Sequence, residues 1–531
     1  MQINSSNIID RIDTYFSKHT NIKISVLFIV LNAMLFCVIG GYLEDYESLY
    51  ASICRGLYTD YAINDYLQDF HTVLFSVYSF VNSKFPDYNV YGIWLYVLNI
   101  LTLCYAGFIL FKLFKKFPLF FFVAYLFLAL DSILNISSNR IVIVLTSSVF
   151  VHLLLNHRLH FFIPFIVYSF CLLVKPEIVV LISFTLIVAL WIENKLTKKQ
   201  LILFAYGLFY FLLIQFLFKH FFSEARQTFL YYELDFFDKS NIDYGHLTAT
   251  QLLQVDAFKK FNIVDKVHFT NAFYKSIEYK HFYFSWLNIK QCLTCISWIV
   301  RQSYVYVLVN IILIALLIWK SNKRTVFCAL FLCLSIYVVS FIIKIPDRYL
   351  ETYYALTALF FAWILITQFK WQRLFLLVFS VACLLILTSF PAKMEQYKNT
   401  QTKVERFYTT LYAQNAADSL FVINNVEYLG RYFPPDPFYK IKRQNCTFLN
   451  FWYFTTYQSY ISRWEKLCRC NPLSLQEKVD FIISNHIPFM TKMKDFLVLK
   501  QYLYKMYKMK IRIENFTKVD KDLYQLHLKY Q

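Results

Sequence analysis

The sequence predicts an α-helical polytopic membrane protein, with about 11 transmembrane helices followed by a small α/β C-terminal extramembrane domain. The first observation is composition. Hydrophobic residues make up 58% of the 531 residues and charged residues only 16%, whereas a soluble globular chain has roughly 45–50% apolar and roughly 25% charged residues. The second is that several apolar runs approach or exceed the ~18–20 residues needed to cross a bilayer. The third is a polar C-terminal tail that contains short strand-like segments.

The formal net charge is +19, which taken alone is typical of a nucleic-acid-binding protein. Many of the basic residues, however, fall in short loops between apolar runs, where lysine and arginine determine the orientation of a membrane protein. We therefore expect membrane lipids, and no nucleic acid, among the partners of this chain. Anionic phosphates and lipid headgroups are the ligands that such a charge favours.

About eleven apolar segments have the composition of membrane spans. Two of them, 161–174 and 176–192, are separated only by Lys175 and Pro176, so they form either two helices or one long broken helix. The second alternative would invert the orientation of every later segment. The predicted spans are 24–42, 92–111, 118–136, 141–156, 161–174, 176–192, 200–218, 303–319, 325–343, 350–367 and 374–389.

Basic residues in the loops choose between these alternatives. With the N-terminus in the cytoplasm, two separate spans make every predicted cytoplasmic loop basic, as the positive-inside rule requires. A fused helix would move the last three basic clusters to the outer side. We therefore expect a multi-pass protein of the bacterial inner (plasma) membrane, with a cytoplasmic N-terminus and an extracytoplasmic C-terminal domain. The cytoplasmic clusters are Lys112, Lys115 and Lys116; Arg158; Lys195, Lys198 and Lys199; Lys320, Lys323 and Arg324; and Lys370 and Arg373.

The predicted transmembrane domain, residues 1–390, has two long outer loops. The first loop, 43–91, is acidic and contains an apolar run at helical spacing over 65–81, which predicts an amphipathic helix at the membrane interface. The second loop, 219–301, is polar and aromatic, with helix-like runs near 248–260 and 268–279.

The tail, residues 391–531, is predicted to form the α/β domain. The segments 419–424, 480–484 and 523–530 have the composition of strands. In the last of them apolar and polar residues alternate, the period-2 pattern of a half-buried strand.

Charged residues at the predicted outer membrane boundary are the candidates for function, because a charge at such depth is costly unless it is paired, hydrated or functional. A carboxylate near a reactive hydroxyl can act as a general base, and arginine and lysine can bind a phosphate and stabilise charge developing on it. An outer-face histidine can donate to a phosphate. These groups suit transfer of a sugar from a lipid-linked phosphate donor. They are Glu44, Asp45, His71, Arg140, Lys175, Glu177, Lys344 and Arg348.

An outer loop that opens with an acidic pair directly after the first span resembles the GT-C class of polyprenyl-phosphate-sugar-dependent glycosyltransferases. The segment "LEDYESLYASICRGLYTDYAINDYLQDFHTVLFSVYSFV" is similar to the first-loop pattern of bacterial members, and "LVKPE" and "PDRY" look like outer-turn elements of such proteins. The resemblance spans most of residues 24–390. It implies that Asp45 is the catalytic acid, with Glu44 as the competing choice, and that Arg348 with Lys344 binds the donor phosphate. It also implies a glycan, lipid or protein acceptor and a role in cell-envelope polysaccharide biosynthesis.

Each candidate also has a structural interpretation. The acids Glu44 and Asp45 could cap a helix, Arg140 could pair with Asp131, and Lys175 could simply end a helix before Pro176. The whole chain could instead be a transporter, a flippase or a scaffold component of surface-polysaccharide assembly. Transporters often contain inverted repeats and charges at mid-membrane, whereas here no repeat is apparent and the charges concentrate at the outer boundary.

The 12 cysteines do not predict a metal site. Cys292 and Cys295 form a C-x-x-C motif without a second cluster nearby. A disulfide from Cys446 to Cys468 or Cys470 is an alternative in an oxidising compartment. Of the cofactors, the sequence leaves only a divalent cation open.

Overall fold

The structure is a computed structural model of the 531-residue chain. It describes residues 30–32, 34, 72–86, 88–114, 118–134, 136–155, 161–221, 247–261, 263, 265, 267–269, 273, 304–320, 323–342, 352–361, 364, 372–414, 420–425, 446–450, 458–468, 474–519 and 522–531.

The described residues are mostly helical, with one small sheet near the C-terminus. The helices are α1 (Thr72–Lys84), α2 (Val90–Leu113), α3 (Pro118–Leu134), α4 (Ser138–Leu155), α5 (Phe162–Val174), α6 (Pro176–Ile192), α7 (Lys198–Phe221), α8 (Ala249–Phe261), α9 (Tyr304–Lys320), α10 (Lys323–Ile342), α11 (Thr352–Phe361), α12 (Gln372–Gln414), α13 (Gln458–Cys468), α14 (Leu475–Ser484) and α15 (Met493–Tyr507). The strands are β1 (Phe421–Asn425), β2 (Cys446–Asn450), β3 (Phe489–Lys492), β4 (Ile511–Lys518) and β5 (Leu523–Tyr530).

The chain divides into two compact units. The first, which we call the helical unit, contains α2 from Trp94 onward, α3 to α7 up to Leu217, α9 to α11, and α12 up to Glu395. The second, which we call the mixed unit, contains α1, α8, the remainder of α12, and all five strands with α13 to α15.

Apolar runs in the sequence become helices in the helical unit. The bounds of α2 to α7, α9 and α10 lie within three residues of the predicted spans. Among the described residues, three helices are long and apolar enough to cross a membrane by length and composition: Val90–Leu113, Ser138–Leu155 and Lys198–Phe216. The total of about 11 spans stays a prediction. Helix α12 continues past the predicted end of the last span at 389, through Pro391 to Gln414.

Helices α5 and α6 form an antiparallel hairpin that turns at Lys175. Lys175 has an extended backbone (φ −149°, ψ 79°), and Pro176 occupies the first turn of α6, where a missing N–H costs nothing. The hydroxyl of Tyr168 lies 3.0 Å from the hydroxyl of Ser183. In one continuous helix these residues, 15 positions apart, would be separated by roughly 22 Å. The prediction of two helices that reverse at Lys175 is therefore confirmed.

Helix α4 lies at the centre of the helical unit. Fifteen of its 18 residues are buried, and it packs against both α5 and α6. A helix that is buried on all sides is usually apolar on all sides. Helix α4 instead buries polar side chains along its length, including Asn139, Arg140, Thr146 and His152. This combination makes it the helix to consider first for function.

The mixed unit is built on a five-stranded sheet with the order β2-β1-β3-β5-β4. Strands β2, β1 and β3 are parallel, whereas β5 and β4 are antiparallel neighbours. The C-terminal strand Leu523–Tyr530 has the bounds predicted from its alternating pattern, and its Leu526 and Leu528 are buried. The small C-terminal α/β fold is confirmed at this level.

Side chains of α13 cover the edge strand β2. The hydroxyl of Tyr460 donates to the carbonyls of Phe448 (3.0 Å) and Leu449 (2.8 Å), and the indole N–H of Trp464 donates to the Phe448 carbonyl (3.0 Å). Tyr460 and Trp464 are fully buried. Since unpaired strand edges invite pairing with other chains, these contacts protect one edge of the sheet.

The predicted strand at 480–484 is wrong, because this segment is the last part of helix α14. The Ser474 side chain accepts a hydrogen bond from the Glu477 N–H at 3.3 Å and caps the helix. Buried Leu475, Val479 and Ile482 follow at helical spacing. The sequence "SLQE" is a capping-box pattern that indicates a helix start. This signal outweighs the β propensity of the three apolar residues 481–483.

The remaining segment predictions have mixed outcomes. Strand β1 overlaps the predicted strand 419–424, and α8 matches the predicted run 248–260. Helix α1 matches the part of the predicted amphipathic helix that the structure describes. The predicted run 268–279 lies largely outside the described residues, and Val267 and His268 form a turn at its start.

Candidate functional site

Three of the eight predicted site residues are described by the structure: Arg140, Lys175 and Glu177. The side chain of Asp131, the alternative partner of Arg140, is not described. The catalytic and phosphate-binding assignments from the resemblance therefore stay predictions. The residues that lie outside the described part of the chain are Glu44, Asp45, His71, Lys344 and Arg348.

Arg140 lies in the first turn of α4, and its side chain is only 3% exposed. Ser137 caps this helix, because its hydroxyl accepts from the Asn139 N–H at 3.3 Å and its carbonyl accepts from the Ile141 N–H at 3.1 Å. The capping serine holds the arginine at the helix start. Ser137 and Asn139 are buried as well.

Lys175 is 4% exposed at the turn of the α5–α6 hairpin. Its backbone N–H donates to the Cys171 carbonyl at 2.9 Å, and its carbonyl accepts from the Val179 N–H at 3.2 Å. The lysine therefore links the end of one helix to the start of the next. Glu177, two residues later, is exposed in the first turn of α6. Of these two predicted site residues, the lysine is therefore buried and the glutamate is exposed.

A ring contact between α4 and α5 allows the positions of Lys175 and Arg140 along the helix axes, which we call their levels, to be compared. The ring centroids of Phe150 in α4 and Tyr168 in α5 lie 6.4 Å apart, so these residues mark a common level. Lys175 follows Tyr168 by seven residues, and Arg140 precedes Phe150 by ten. In antiparallel helices that rise 1.5 Å per residue, the two cations differ in level by roughly 5 Å, about one turn.

Two helix N-termini lie at the same end as these cations, because α4 begins at Ser138 and α6 begins at Pro176. The N-terminus of a helix carries unpaired N–H groups and a partial positive charge. Two helix starts therefore contribute partial positive charge at the end of the helical unit that contains Arg140 and Lys175. We call the set of Ser137, Asn139, Arg140 and Lys175 the cationic cluster.

Polar atoms near this end have unused hydrogen-bonding capacity. The Asn99 amide donates to the Ser132 carbonyl at 2.8 Å and joins α2 to the end of α3. Within the described part of the chain, the amide oxygen of Asn139 and the hydroxyl of Ser132 are buried without a hydrogen-bond partner. A buried polar group usually has a partner, so these atoms favour water or a ligand at this end of the helices.

The chemistry that the cationic cluster supports is the binding of an anion. Transfer of a cation from water to a membrane interior costs several kcal/mol unless it is compensated. Arginine and lysine together bind phosphate oxygens well, arginine through two parallel N–H donors. A phosphate oxygen can accept hydrogen bonds from arginine, lysine and a buried hydroxyl such as that of Ser132, whereas the amide oxygen of Asn139 needs a donor such as water.

Polar side chains continue along α4 beyond the cationic cluster. Thr146, Ser147 and Ser148 are buried in the middle of the helix. Near its other end the Tyr105 hydroxyl and His152 Nδ1 lie 2.8 Å apart. The buried interior of this helical unit is thus partly polar over most of the length of α4.

Cysteine and acidic groups in the described residues give no metal site. No group of three or more histidine, cysteine, aspartate or glutamate side chains in this part of the chain could hold a metal ion. The divalent cation stays a prediction. Cys446 is a thiol that is 0% exposed. The disulfide to Cys468 or Cys470, which the sequence left open, is therefore not formed in the structure. Burial raises the pKa of this thiol, and Arg463 partly offsets the effect.

A surface groove of about 360 Å³ lies at the α9–α10 junction and shares no residue with the cationic cluster. Four of its five lining residues are apolar, so it offers few groups to orient a polar ligand. We do not assign function to it. The lining residues are Ile318, Lys323, Val326, Phe327 and Leu330.

Sequence reasoning identified the cations of the cluster but not their polar neighbours. Taken one at a time, these polar neighbours carry no sequence signal of function. They are Asn99, Ser132, Ser137 and Asn139. The run "SSNR" directly before an apolar helix was an available signal, because serine and asparagine at a helix start indicate a cap. Only the packing of α2 against α3 brings Asn99 to Ser132.

Comparison with known proteins adds no assignment. No family model matches the chain, no curated protein matches it, and no solved structure matches it. The interpretation of the site therefore depends on the residues themselves.

Proposed function

We propose that this chain is a membrane glycosyltransferase of GT-C type, which moves a sugar from a polyprenyl-phosphate-linked donor to a glycan, lipid or protein acceptor on the extracytoplasmic face. The observation that carries the proposal is the burial of Arg140 and Lys175 where α4 and α6 begin. A lipid-linked phosphate is an anion that can reach such a site from within the membrane. Its apolar chain stays in the bilayer while its phosphate binds to the cations.

In the proposed reaction the acceptor hydroxyl attacks the anomeric carbon of the sugar. A new carbon–oxygen bond forms, the bond to the phosphate oxygen breaks, and its electron pair leaves with the polyprenyl phosphate. Asp45 takes the proton of the acceptor hydroxyl or orients it, with Glu44 as the competing choice. Arg348 with Lys344 binds the donor phosphate, His71 donates to it, and the cationic cluster stabilises its charge.

Phosphate recognition can be measured without knowledge of the sugar. Native mass spectrometry of the purified full-length protein should show binding of polyprenyl phosphate and weaker binding of the neutral polyprenol. Lys175→Met should weaken polyprenyl phosphate binding by about tenfold or more, the loss of about 1.4 kcal/mol, and Lys175→Arg should restore part of it. The matched control is Lys198→Met, which removes an exposed lysine. Equal affinity for both lipids would refute phosphate recognition.

Transfer itself requires a product assay. Lipid-linked and surface glycans from cells with and without this protein should differ by one sugar in mass and composition. Asp45→Asn should abolish that difference while expression and folding remain normal. Unaltered glycans after replacement of both Asp45 and Arg348 would favour a scaffold.

The polar residues along α4 favour a second candidate, a transporter or flippase of surface-polysaccharide assembly. Thr146, Ser147, Ser148 and His152 continue the polar interior past the cationic cluster, as a translocation path requires. Proteoliposomes separate the two functions. Movement of a lipid-linked sugar across the bilayer without formation of a glycosidic bond would favour the transporter, and a new glycosidic bond would favour the enzyme.

A further inference from the structure

Helix α15 of the mixed unit has an apolar face that the unit does not cover. Its inner face is buried through Phe496, Leu499 and Leu503. On the outer face, Leu497 is 58% exposed and Tyr504 is 51% exposed. These two residues lie seven positions apart, or nearly two helical turns, so they share one side of the helix.

Lysines surround this apolar pair, and the helix has no exposed acid to neutralise them. The one acidic residue of α15, Asp495, is buried on the other side. The ammonium group of Lys510 lies 5.8 Å from the centroid of the Tyr504 ring. We call Leu497 and Tyr504 with their lysines the α15 surface. The lysines are Lys494, Lys500, Lys505, Lys508 and Lys510.

We infer that the α15 surface binds the headgroup region of a bilayer that contains anionic phospholipids. Exposed leucine and tyrosine gain free energy by insertion at the boundary between headgroups and acyl chains. Lysine side chains extend along that boundary and place their ammonium groups beside lipid phosphates. Apolar residues with flanking lysines on one helix face are typical of a membrane-surface helix.

Charge argues for this occupant over others. A second copy of the chain would present the same lysines, and two such surfaces repel each other. The chain has helices long and apolar enough to cross a membrane, so a bilayer is part of its surroundings. This inference is independent of the proposed transfer reaction, since none of its residues belongs to the cationic cluster.

Lysine acetylation of the full-length protein in nanodiscs tests the inference. The two membranes are pure phosphatidylcholine and phosphatidylcholine with about 30% phosphatidylglycerol. We expect Lys500, Lys505 and Lys508 to react about threefold or more slowly in the anionic membrane, and about 0.5 M salt to remove the difference. Lys518, an exposed lysine on β4, is the control and should react equally in both.

Leu497→Ser with Tyr504→Ser should reduce the protection without loss of folding, since both side chains are exposed. Equal acetylation of the three lysines in the two membranes would overturn the inference. Protection that ignores lipid charge and rises with protein concentration would assign the surface to a second copy and overturn it as well. Protection that appears only with added nucleic acid or a soluble protein would also contradict it.

Discussion

The hydroxyl groups of Tyr168 and Ser183 lie 3.0 Å apart, although Tyr168 lies seven positions before Lys175 and Ser183 lies eight positions after it. This one contact requires α5 and α6 to lie side by side. It therefore fixes the reversal of the chain at a buried lysine. With 13 residues, α5 is roughly 20 Å long, shorter than the ~30 Å hydrocarbon core. If α5 begins at one membrane surface, Lys175 lies below the other.

The hairpin predicts that both of its flanking loops open to the same side of the membrane. Arg158→Cys and Lys198→Cys, each in a background without other reactive cysteines, should react with an impermeant thiol reagent under the same condition. From the basic loops we expect both to react only after the cells are permeabilised. Reaction of the two positions from opposite sides would require one continuous helix and would contradict the hairpin.

Gly207 should be intolerant of alanine. A Cβ at this position of α7 would overlap the Tyr168 hydroxyl and lie 3.1 Å from two of its ring carbons. Tyr168 is buried and held by Ser183, so it cannot easily move. Overpacking of this kind costs about 1–3 kcal/mol, partly offset by the higher helix propensity of alanine. We expect a lower thermal unfolding midpoint in detergent.

Tyr168→Phe supplies the matched test for Gly207→Ala. It removes the nearest atom of the overlap, so the double variant should be more stable than Gly207→Ala alone by roughly 0.5–1.5 kcal/mol. Strict additivity of the two changes would mean that Tyr168 and Gly207 do not contact each other.

Lys175→Met should preserve the stability of the fold and weaken the binding of polyprenyl phosphate. Replacement of a buried charge by an apolar side chain of similar length is often neutral or stabilising, so we expect the unfolding midpoint to equal or exceed that of the wild type. Polyprenyl phosphate binding should nevertheless fall, because the cationic cluster loses half its charge. A midpoint several degrees lower would indicate a structural role for the lysine instead.

Asp265 should make the stability of the mixed unit dependent on pH. The carboxylate is 0% exposed and accepts from the hydroxyls of Tyr502 (3.0 Å) and Tyr507 (2.7 Å). Burial raises the pKa of Asp265 above its ordinary value, although the hydroxyl groups partly offset this. The folded state therefore holds the proton more tightly than the unfolded state. This contribution to stability is fully present below the unfolded pKa of about 3.9 and is lost as pH rises through the folded pKa.

The measurement compares Asp265→Asn with the wild type across pH. An asparagine does not titrate, so the unfolding midpoint of the variant should rise relative to the wild type as pH increases above about 4. Asp265→Ala should be less stable than Asp265→Asn by about 1–3 kcal/mol at every pH, because neither variant titrates and the Tyr502 hydroxyl no longer donates to residue 265. A constant difference between Asp265→Asn and the wild type would show that the carboxyl does not titrate differently in the two states.

Local sequence patterns predict much of the secondary structure of this chain, with a few errors. Apolar runs gave helices α2 to α7, and alternation gave β5, because one side of each element must be buried. The segment 480–484 has the composition of a strand because its three consecutive apolar residues fit either structure, and the Ser474 cap decides for a helix. Strand β3 was missed because four residues of "FMTK" are too short to show a period.

The sequence by itself determined that the chain is rich in apolar helices, that charged residues concentrate between them, and that its tail contains a strand of period two. Those properties depend on neighbours a few positions apart. Only the tertiary structure decided that Arg140 and Lys175 are both buried, and that Asp265 reaches two tyrosines more than 200 positions later. Such pairings depend on how helices reverse and pack. Burial then sets the free-energy cost of keeping each group charged.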